Sequence, residues 1–535
     1  MSAIVTDQFR INNAGNFLGN VNTSENSYYV FVGLSNPTAA ATRSSVAFGR
    51  NASLTDWNDD ATRKKPIDNF NYLSHVKDTM IFGKKITSDN IRRVVRKIEW
   101  TKETRYDMYR HDYSKDNMAP NGKTARLYDS NYYVINKDFR VYVCISNGST
   151  GAVPLGNISQ DEPTFTDLEP SAAGTSGDGY IWKYLFSVAP SDIIKFDSTE
   201  YITVPNAWGS TADSGIRAVR ENGDSSVNEN QIKHVYIDKA GDQYANGLGQ
   251  EVDIIGDGTK GKARVDVVNN KITDVTVSSG GKDYSYALVD LGTLNSGVSA
   301  VNRAKLVPII PPSLGHGHDI YTELGTDKVL IYARFDDSTK DFPTDTKFAQ
   351  VGIVKNPTKV GTSVTYTEDT YSSLGAIKFD SITGTPQIGE EINQLLASTQ
   401  LATAYVASFD KETQVLKYFR DRSLNYTINA DGTSDQTDYS GISTTGRIYQ
   451  FESGSSANQV KGVSSNFSGS IDFGFTGITT NPSGTKLINL GANFNAGLSD
   501  SEINKGSGEI VYLDNRPLIA RNERQKEDIK IILEF

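Results

Sequence analysis

The sequence predicts a mainly β fold, and three observations carry that reading. Gly (46) and Tyr (27) are plentiful across 535 residues while Met (4) and Cys (1) are scarce, which suits short strands joined by tight turns. Runs such as Tyr28 to Val32 and Arg140 to Ile145 are built from β-branched and aromatic residues. A spaced pattern also recurs: Ile232, Val235, Ile237, Gly241 and Tyr244 return 40 residues later as Ile272, Val275, Val277, Gly281 and Tyr284.

Taken in order, Tyr28 to Val32 reads as the first strand. Ser88 to Ile98 reads as the one helix with a full set of signals: Ser88 as cap, Asp89 near the positive end of the dipole, and Ile91, Val94, Val95 and Ile98 at helical spacing. Its opposite face would carry Arg92, Arg93, Arg96 and Lys97, a solvated face or protein contact more readily than a phosphate site. Phe139 to Cys144 is strand-like, so Cys144, the single cysteine, is expected as a packed thiol that forms no internal disulfide. Thr203 to Gly209 closes a first, aromatic-rich region. Each copy of the repeat reads as an alternating strand, a Gly-containing turn and a Tyr packed beside it. A Ser/Thr/Gly-rich stretch from about 361 to 499 holds strand candidates Leu401 to Phe409 and Gln414 to Phe419, separated by Asp410-Lys411-Glu412.

The length predicts about three or four folding units. Hydrophobic residues at 37% and charged residues at 22% are enough for packed cores. A formal net charge of -10 opposes a polyanionic partner, so no nucleic acid is expected. The first ten residues lack a basic segment followed by an apolar run, and no stretch approaches the ~20 apolar residues of a membrane span, so no membrane association is expected.

Several segments imitate catalytic motifs. Gly256-Asp257-Gly258-Thr259-Lys260-Gly261 satisfies GxGxxG, and Lys262 nearly completes a P-loop. Ala263 stands where Ser or Thr should hold magnesium, and Arg264 to Val268 alternates as a strand, so a hairpin turn is expected. Gly122-Lys123-Thr124 has the end of a P-loop, but Asn117 occupies the place of its first Gly. His316 and His318, in Gly315-His316-Gly317-His318-Asp319, are spaced for metal, with Asp319 as the third ligand to test; without a further His or Cys nearby they read as a polar, Gly-hinged loop. No GxSxG elbow occurs, and no histidine lies near Cys144 in sequence. No catalytic, cofactor-binding or metal residue is therefore assigned, and the chain reads as a non-enzyme.

Physical reading of the remaining blocks gives structural or partner anchors. Gly177 and Gly179 bracket a tight turn in which Asp178 can bond back to its own backbone, and Tyr180-Ile181-Trp182 begins a strand with large buried faces. Asn515-Arg516-Pro517 reads as a turn whose Arg516 anchors a neighbouring loop or a partner. The anchor candidates are Tyr180, Trp182, Tyr184, Arg516, Trp100 and Arg105.

The chain ends resemble the homodimeric baseplate wedge subunit of T-even-like contractile-tailed bacteriophages. The matching blocks are Ala3-Ile4-Val5-Thr6 with Phe9-Arg10 and Asn16-Phe17; Tyr29 to Gly33 with Ser35-Asn36-Pro37; Trp100, Arg105 and Tyr106; Gly177 to Phe186; Glu200 to Pro205; Phe348 to Pro357; Gly508 to Pro517; and Ile529 to Phe535. They divide the chain into core parts at 1–205, 301–360 and 500–535, with inserted β modules at 206–300 and 361–499. The resemblance implies a two-layered β core with one or two short helices. It implies a homodimer that joins other baseplate wedge proteins, located in the virion tail baseplate and assembled in the host bacterial cytoplasm. The insertions would serve the baseplate rim, for example by docking tail-fibre attachment proteins. A receptor- or carbohydrate-binding phage tail protein is the alternative, because β modules with Tyr, Asn and Asp-rich loops suit sugars. A polysaccharide-degrading enzyme would need a carboxylate pair, which the sequence does not indicate.

Overall fold

The computed structural model describes residues 5–33, 73, 76–77, 79–224, 228–336, 348–388, 390–397, 400–419, 427–428, 434–435, 450–482, 484, 486–519 and 526–535. Ala3, Ile4 and the turn expected at Ser35-Asn36-Pro37 lie outside the described residues. The fold is mainly β, as the composition predicts. The chain forms two compact units, one of residues 1–18, 91–331 and 531–535, the other of 19–90 and 332–530.

Helix α1, Asp7–Asn22, was not read from the sequence. Its buried residues Ile11, Ala14, Leu18 and Val21 keep helical spacing, but a run rich in Asn, a weak helix former, hides the stripe.

In the first unit, two four-stranded sheets enclose one hydrophobic cluster. One sheet is built from β1 (Ile91–Arg96), β6 (Tyr201–Val204) and the part of β13 (Lys328–Phe335) up to Ile331, with the end of Glu527–Glu534 from Ile531 onward at its edge. The other contains β2 (Tyr133–Ile135), β3 (Arg140–Asn147), β4 (Ser171–Ala172) and β5 (Tyr180–Ser187), in the order β2-β3-β5-β4. Val95, Val134, Val141, Val143, Trp182, Leu185, Ile202 and Val204 meet in the cluster.

The expected helix over Ser88 to Ile98 is corrected here: Ser88–Asn90 is a single 3-10 turn, and Ile91 opens β1. β1 lies between β13 and β6, pairing Val94 with Lys328 and Val95 with Ile202. Both faces of this central strand are covered, so its apolar spacing carries no period-two signal. The β-branched Ile-Val-Val content then favours the sheet.

The repeat forms a separate β module on its own cluster, from Ile232 to Ile310. Its strands are β7 (Val235–Lys239), β8 (Gly247–Gly256), β9 (Thr259–Val268), β10 (Lys271–Lys282), β11 (Ala287–Val289) and β12 (Lys305–Pro308). The two copies exchange strands. β7 of the first copy pairs with β12 of the second, β10 of the second with β9 of the first, and β8 with β11. The exchange is reciprocal at atomic level, since Ile232 N donates to Gly280 O and Ile272 N to Ala240 O, both at 3.1 Å.

The expected turns are equivalent. Gly241 and Gly281 sit at φ +71° and +62°, followed by Gln243 and Asp283 at +66° and +63°. A β-carbon at 241 would fall 2.6 Å from Tyr244 Cε2, and one at 281 would fall 2.7 Å from Tyr284 Cε2. Each Tyr then accepts a backbone N–H from the module, Tyr244 from Ala304 and Tyr284 from Gly261. Only Gly allows both the left-handed backbone and so close an approach of the ring.

In the second unit, Tyr28–Gly33 lies inside a five-stranded sheet between Met80–Lys85 and Phe348–Lys355. The strand candidates Leu401 to Phe409 and Gln414 to Phe419 are the strands Gln400–Asp410 and Val415–Phe419. Gly375–Thr383 pairs with both Val415–Phe419 and Ser468–Ile471, which closes that sheet on itself as a barrel around Ile377, Phe379, Ala404, Leu416 and Phe467.

Candidate interaction site

The anchor candidates divide by depth. Tyr180 and Trp182 are both fully buried, so they hold the first unit together and cannot touch a partner directly. Tyr180 stacks on Trp182 with ring centroids 5.4 Å apart, and Tyr106 meets both edge-on. The Tyr180 hydroxyl accepts from Tyr106 N at 2.9 Å and donates to Asn157 O at 3.0 Å. Tyr184, half-buried farther along β5, packs edge-on to Tyr142 and shares a 2.9 Å bond with Ser187 Oγ.

The turn before β5 follows its residue chemistry. Gly177 and Gly179 are both at positive φ. Asp178 Oδ1 accepts from Tyr180 N at 3.0 Å, as expected, while Oδ2 reaches across to Gln160 N at 2.8 Å. Asn157 Nδ2 donates to Asp178 O. This turn therefore clamps the segment 148–160 against the core. Trp100 also holds this segment, its Nε1 donating to Ser159 Oγ at 3.0 Å. Arg105 remains exposed beside the same segment, with Nε donating a long 3.4 Å bond to Gly156 O.

Arg516 is also exposed, with Nε 2.6 Å from Asp514 Oδ2. The turn expected at Asn515-Arg516-Pro517 is corrected: the three residues lie inside the edge strand Glu509–Ile519. The register shifts between Gln350↔Asn515 and Phe348↔Ile519. Pro517 is tolerated there because an edge strand with a bulge does not need every N–H in the ladder.

The basic residues of β1 do not form a phosphate-facing patch. Arg92 pairs with Asp192 at 2.9 Å and lies over Phe196. Arg93 stacks 3.8 Å over the Tyr321 ring, and Arg96 donates to Tyr128 O and Ser130 O. Lys97 bridges Glu99 and Asp197. Each of these cations is engaged by neighbouring groups of the first unit.

A second polar network escaped sequence reading because its members are far apart in the chain. Lys183 is fully buried in β5. Its Nζ donates to Leu168 O and to Asn222 Oδ1, the latter on α2 (Ser214–Gly223). Asn222 passes the chain to Glu169, which also accepts from Lys233 at 2.7 Å. Burial, with Lys233 nearby, pulls the Lys183 ammonium down to about 8. Close by, Glu323 accepts Gly317 N at 2.6 Å and lies 2.7 Å from His316 Nδ1.

The motif imitations are structural. In Gly315 to Asp319, His316 faces Glu323, and Asp319 caps the short helix Ile320–Leu324 by accepting from Tyr321 N and Thr322 N. Among the described residues, no three potential ligands gather around a metal position. Asp257-Gly258 is the two-residue turn between β8 and β9, and Asp257 is occupied by Ser285 and Tyr286. The Gly122 turn is held by Asp107, which accepts from Asn121 N and Gly122 N. Cys144 is buried, and desolvation pushes its thiol well up, away from nucleophile chemistry.

A family model described as Phage-Gp8, Bacteriophage T4 Gp8, matches residues 120–281. The matched stretch contains the clamp around Tyr180 and Trp182, crosses residue 206, and runs into the second copy of the repeat. It covers less than half of the chain. No curated protein matches. The match supports a structural role in a phage baseplate, and hence a place in the virion tail.

Proposed function

We propose that this chain is a structural subunit of a phage contractile-tail baseplate wedge, self-associating as a homodimer and joining neighbouring wedge proteins during assembly. The observation that carries the reading is the family match over 120–281, a stretch that includes the Gly177–Gly179 turn, Tyr180, Trp182 and Lys183. The architecture supports it. Aromatic side chains, cations and the Lys183 network are spent on fixing strands and turns, which suits a part whose work is to hold shape under load.

The β modules at about 206–300 and 361–499 then serve the baseplate rim, docking fibre attachment proteins. Size-exclusion chromatography with light scattering on the purified chain, alone and with the candidate wedge proteins encoded beside it, tests the reading. A dimer that shifts into a larger stable complex is expected. A species indifferent to those proteins, together with glycan binding by the chain, would replace it with a receptor-binding role.

A further inference from the structure

Lys183 is 0% exposed, and among the described residues no carboxylate lies within ion-pair distance of its Nζ. The partners of Nζ there are two neutral carbonyl oxygens, Leu168 O and Asn222 Oδ1, the latter at 2.9 Å. Two acceptors match the two N–H bonds of a neutral amine and leave its lone pair free, whereas an ammonium would bury a third N–H without a partner. Burial, with Lys233 beside it, pulls the amine toward that neutral form against the opposite pull of Glu323 and Glu169.

The orientation of Asn222 follows from the same logic. Lysine here donates, so the amide turns its oxygen to Lys183. Ionised Glu169 only accepts, so the amide turns Nδ2 to Glu169 Oε1, at 2.8 Å. Burial opposes ionisation of Glu169, but the bonds from Lys233 and Asn222 outweigh it and hold its carboxyl below the usual range. The backbone around the pair is pinned. A β-carbon on Gly223 would fall 2.4 Å from His316 O, and one on Gly317 would fall 3.0 Å from Val219 Cγ1 and 3.7 Å from Lys183 Cε. β5 and the end of α2 therefore hold an amine, a side-chain amide and a carboxylate in contact before any reaction begins.

We propose that Lys183 and Asn222 join through an intramolecular isopeptide bond, with Glu169 as the proton carrier. The lone pair of Lys183 Nζ attacks Asn222 Cγ, forming the new C–N bond while the carbonyl π electrons move onto Oδ1. In that adduct Nζ and Nδ2 share one carbon, so Glu169, already bonded to Nδ2, takes a proton from Nζ and returns it to Nδ2. The Cγ–Nδ2 bond then breaks with its electron pair, Oδ1 regains its double bond, and ammonia leaves. One amine and one primary amide give one secondary amide and ammonia, with no oxidant, reductant or further reactant. The amine that titrates is the form of the chain before the bond closes. The bond ties β5 to α2 across a separation of 39 residues, which limits how far that stretch extends when the chain is pulled or unfolds. It does not depend on the baseplate reading.

The same Asn222 Cγ is open to Gly223 N, which also expels ammonia by closing a succinimide, so the measurement separates the two products. The full chain is taken at intervals after a pulse of synthesis, and its intact mass and tryptic peptides are read by mass spectrometry. The expected result is a chain lighter by one ammonia, with a branched peptide that joins residues 183 and 222. Lys183→Met and Asn222→Ala keep the full sequence mass, and Glu169→Gln accumulates the product at least tenfold more slowly. Because the branched peptide is read on the unaltered chain, the result does not depend on any variant folding. Full sequence mass in the folded chain after prolonged incubation overturns the inference. Loss of ammonia that persists in Lys183→Met overturns it too, since that product is the succinimide. An unchanged rate in Glu169→Gln overturns the role given to Glu169.

Discussion

Substituting Gly281 by Ala tests whether the repeated Gly-Tyr turn locks the 232–310 module. Gly281 is at φ +62°, where an L residue costs about 1–2 kcal/mol. A β-carbon there would also sit 2.3 Å from Thr259 O, 2.7 Å from Tyr284 Cε2 and 2.8 Å from Gly261 N. Two of these neighbours are backbone, so relief requires β9 and the turn to separate. That movement strains the Gly261 N bond to Tyr284 and the Tyr284 bond to Ile254 O, each worth about 1 kcal/mol. The expected cost is therefore about 3–5 kcal/mol, a large share of the ~5–15 kcal/mol that holds an ordinary domain. Hydrogen exchange with mass spectrometry reads it locally: protection of the Val265 and Val275 amides should fall between about a hundredfold and a few thousandfold. Gly297→Ala is the control, because Gly297 has φ +83° and no atom within 4 Å of a β-carbon, so it isolates the backbone term at about 1 kcal/mol. Gly241→Ala should match Gly281→Ala, since Tyr244 Cε2 stands 2.6 Å from its β-carbon position. If Gly281→Ala costs no more than Gly297→Ala, the close approach is not what fixes the turn and the argument fails.

Three further outcomes follow from the same reasoning. Lys183 has a folded value near 8 against about 10.5 unfolded, so the unfolded chain binds the extra proton between these values and stability rises with pH across that window. Lys183→Met should flatten the rise, and an identical slope of stability from pH 8 to 10 in both proteins would show that the ammonium is not buried in solution. Tyr180→Phe leaves the buried Tyr106 N–H without its acceptor and should cost about 1–3 kcal/mol in urea unfolding; a neutral result would place that N–H in water. Cys144 should resist a thiol reagent in the native protein and react at once in denaturant; fast native labelling would contradict its burial.

What was legible in the sequence was local. β-Branched and aromatic runs pointed to Arg140 to Ile145 and Leu401 to Phe409, which fall in the strands Arg140–Asn147 and Gln400–Asp410, because strand chemistry is written in consecutive residues. The 40-residue echo revealed the module because each Gly-Tyr turn needs its own Gly and its own Tyr. The same rules denied the P-loop readings, since Arg264 to Val268 could only alternate as a strand. They erred where a neighbour overrides local pattern. Ile91–Arg96 carries a helical stripe yet is held between two strands, and Asn515 to Pro517 has turn composition yet runs along Phe348–Lys355.

The candidate site was legible only as a set of residue types. Tyr180, Trp182, Trp100 and Arg105 were singled out together, but the sequence could not separate the buried rings from the exposed guanidinium. Burial depends on which strands lie across from them, and the partners of Tyr180 come from Tyr106 and Asn157, far away in the chain. The Lys183, Asn222, Glu169 and Lys233 network carried no sequence signal for the same reason. The sequence by itself therefore determined the mainly β class, the repeat and its turns, through backbone preferences that each residue carries wherever it sits. Only tertiary structure decided the strand exchange between copies, the fate of the β1 cations and the exposure of Arg105, because those depend on contacts between segments that no local pattern encodes.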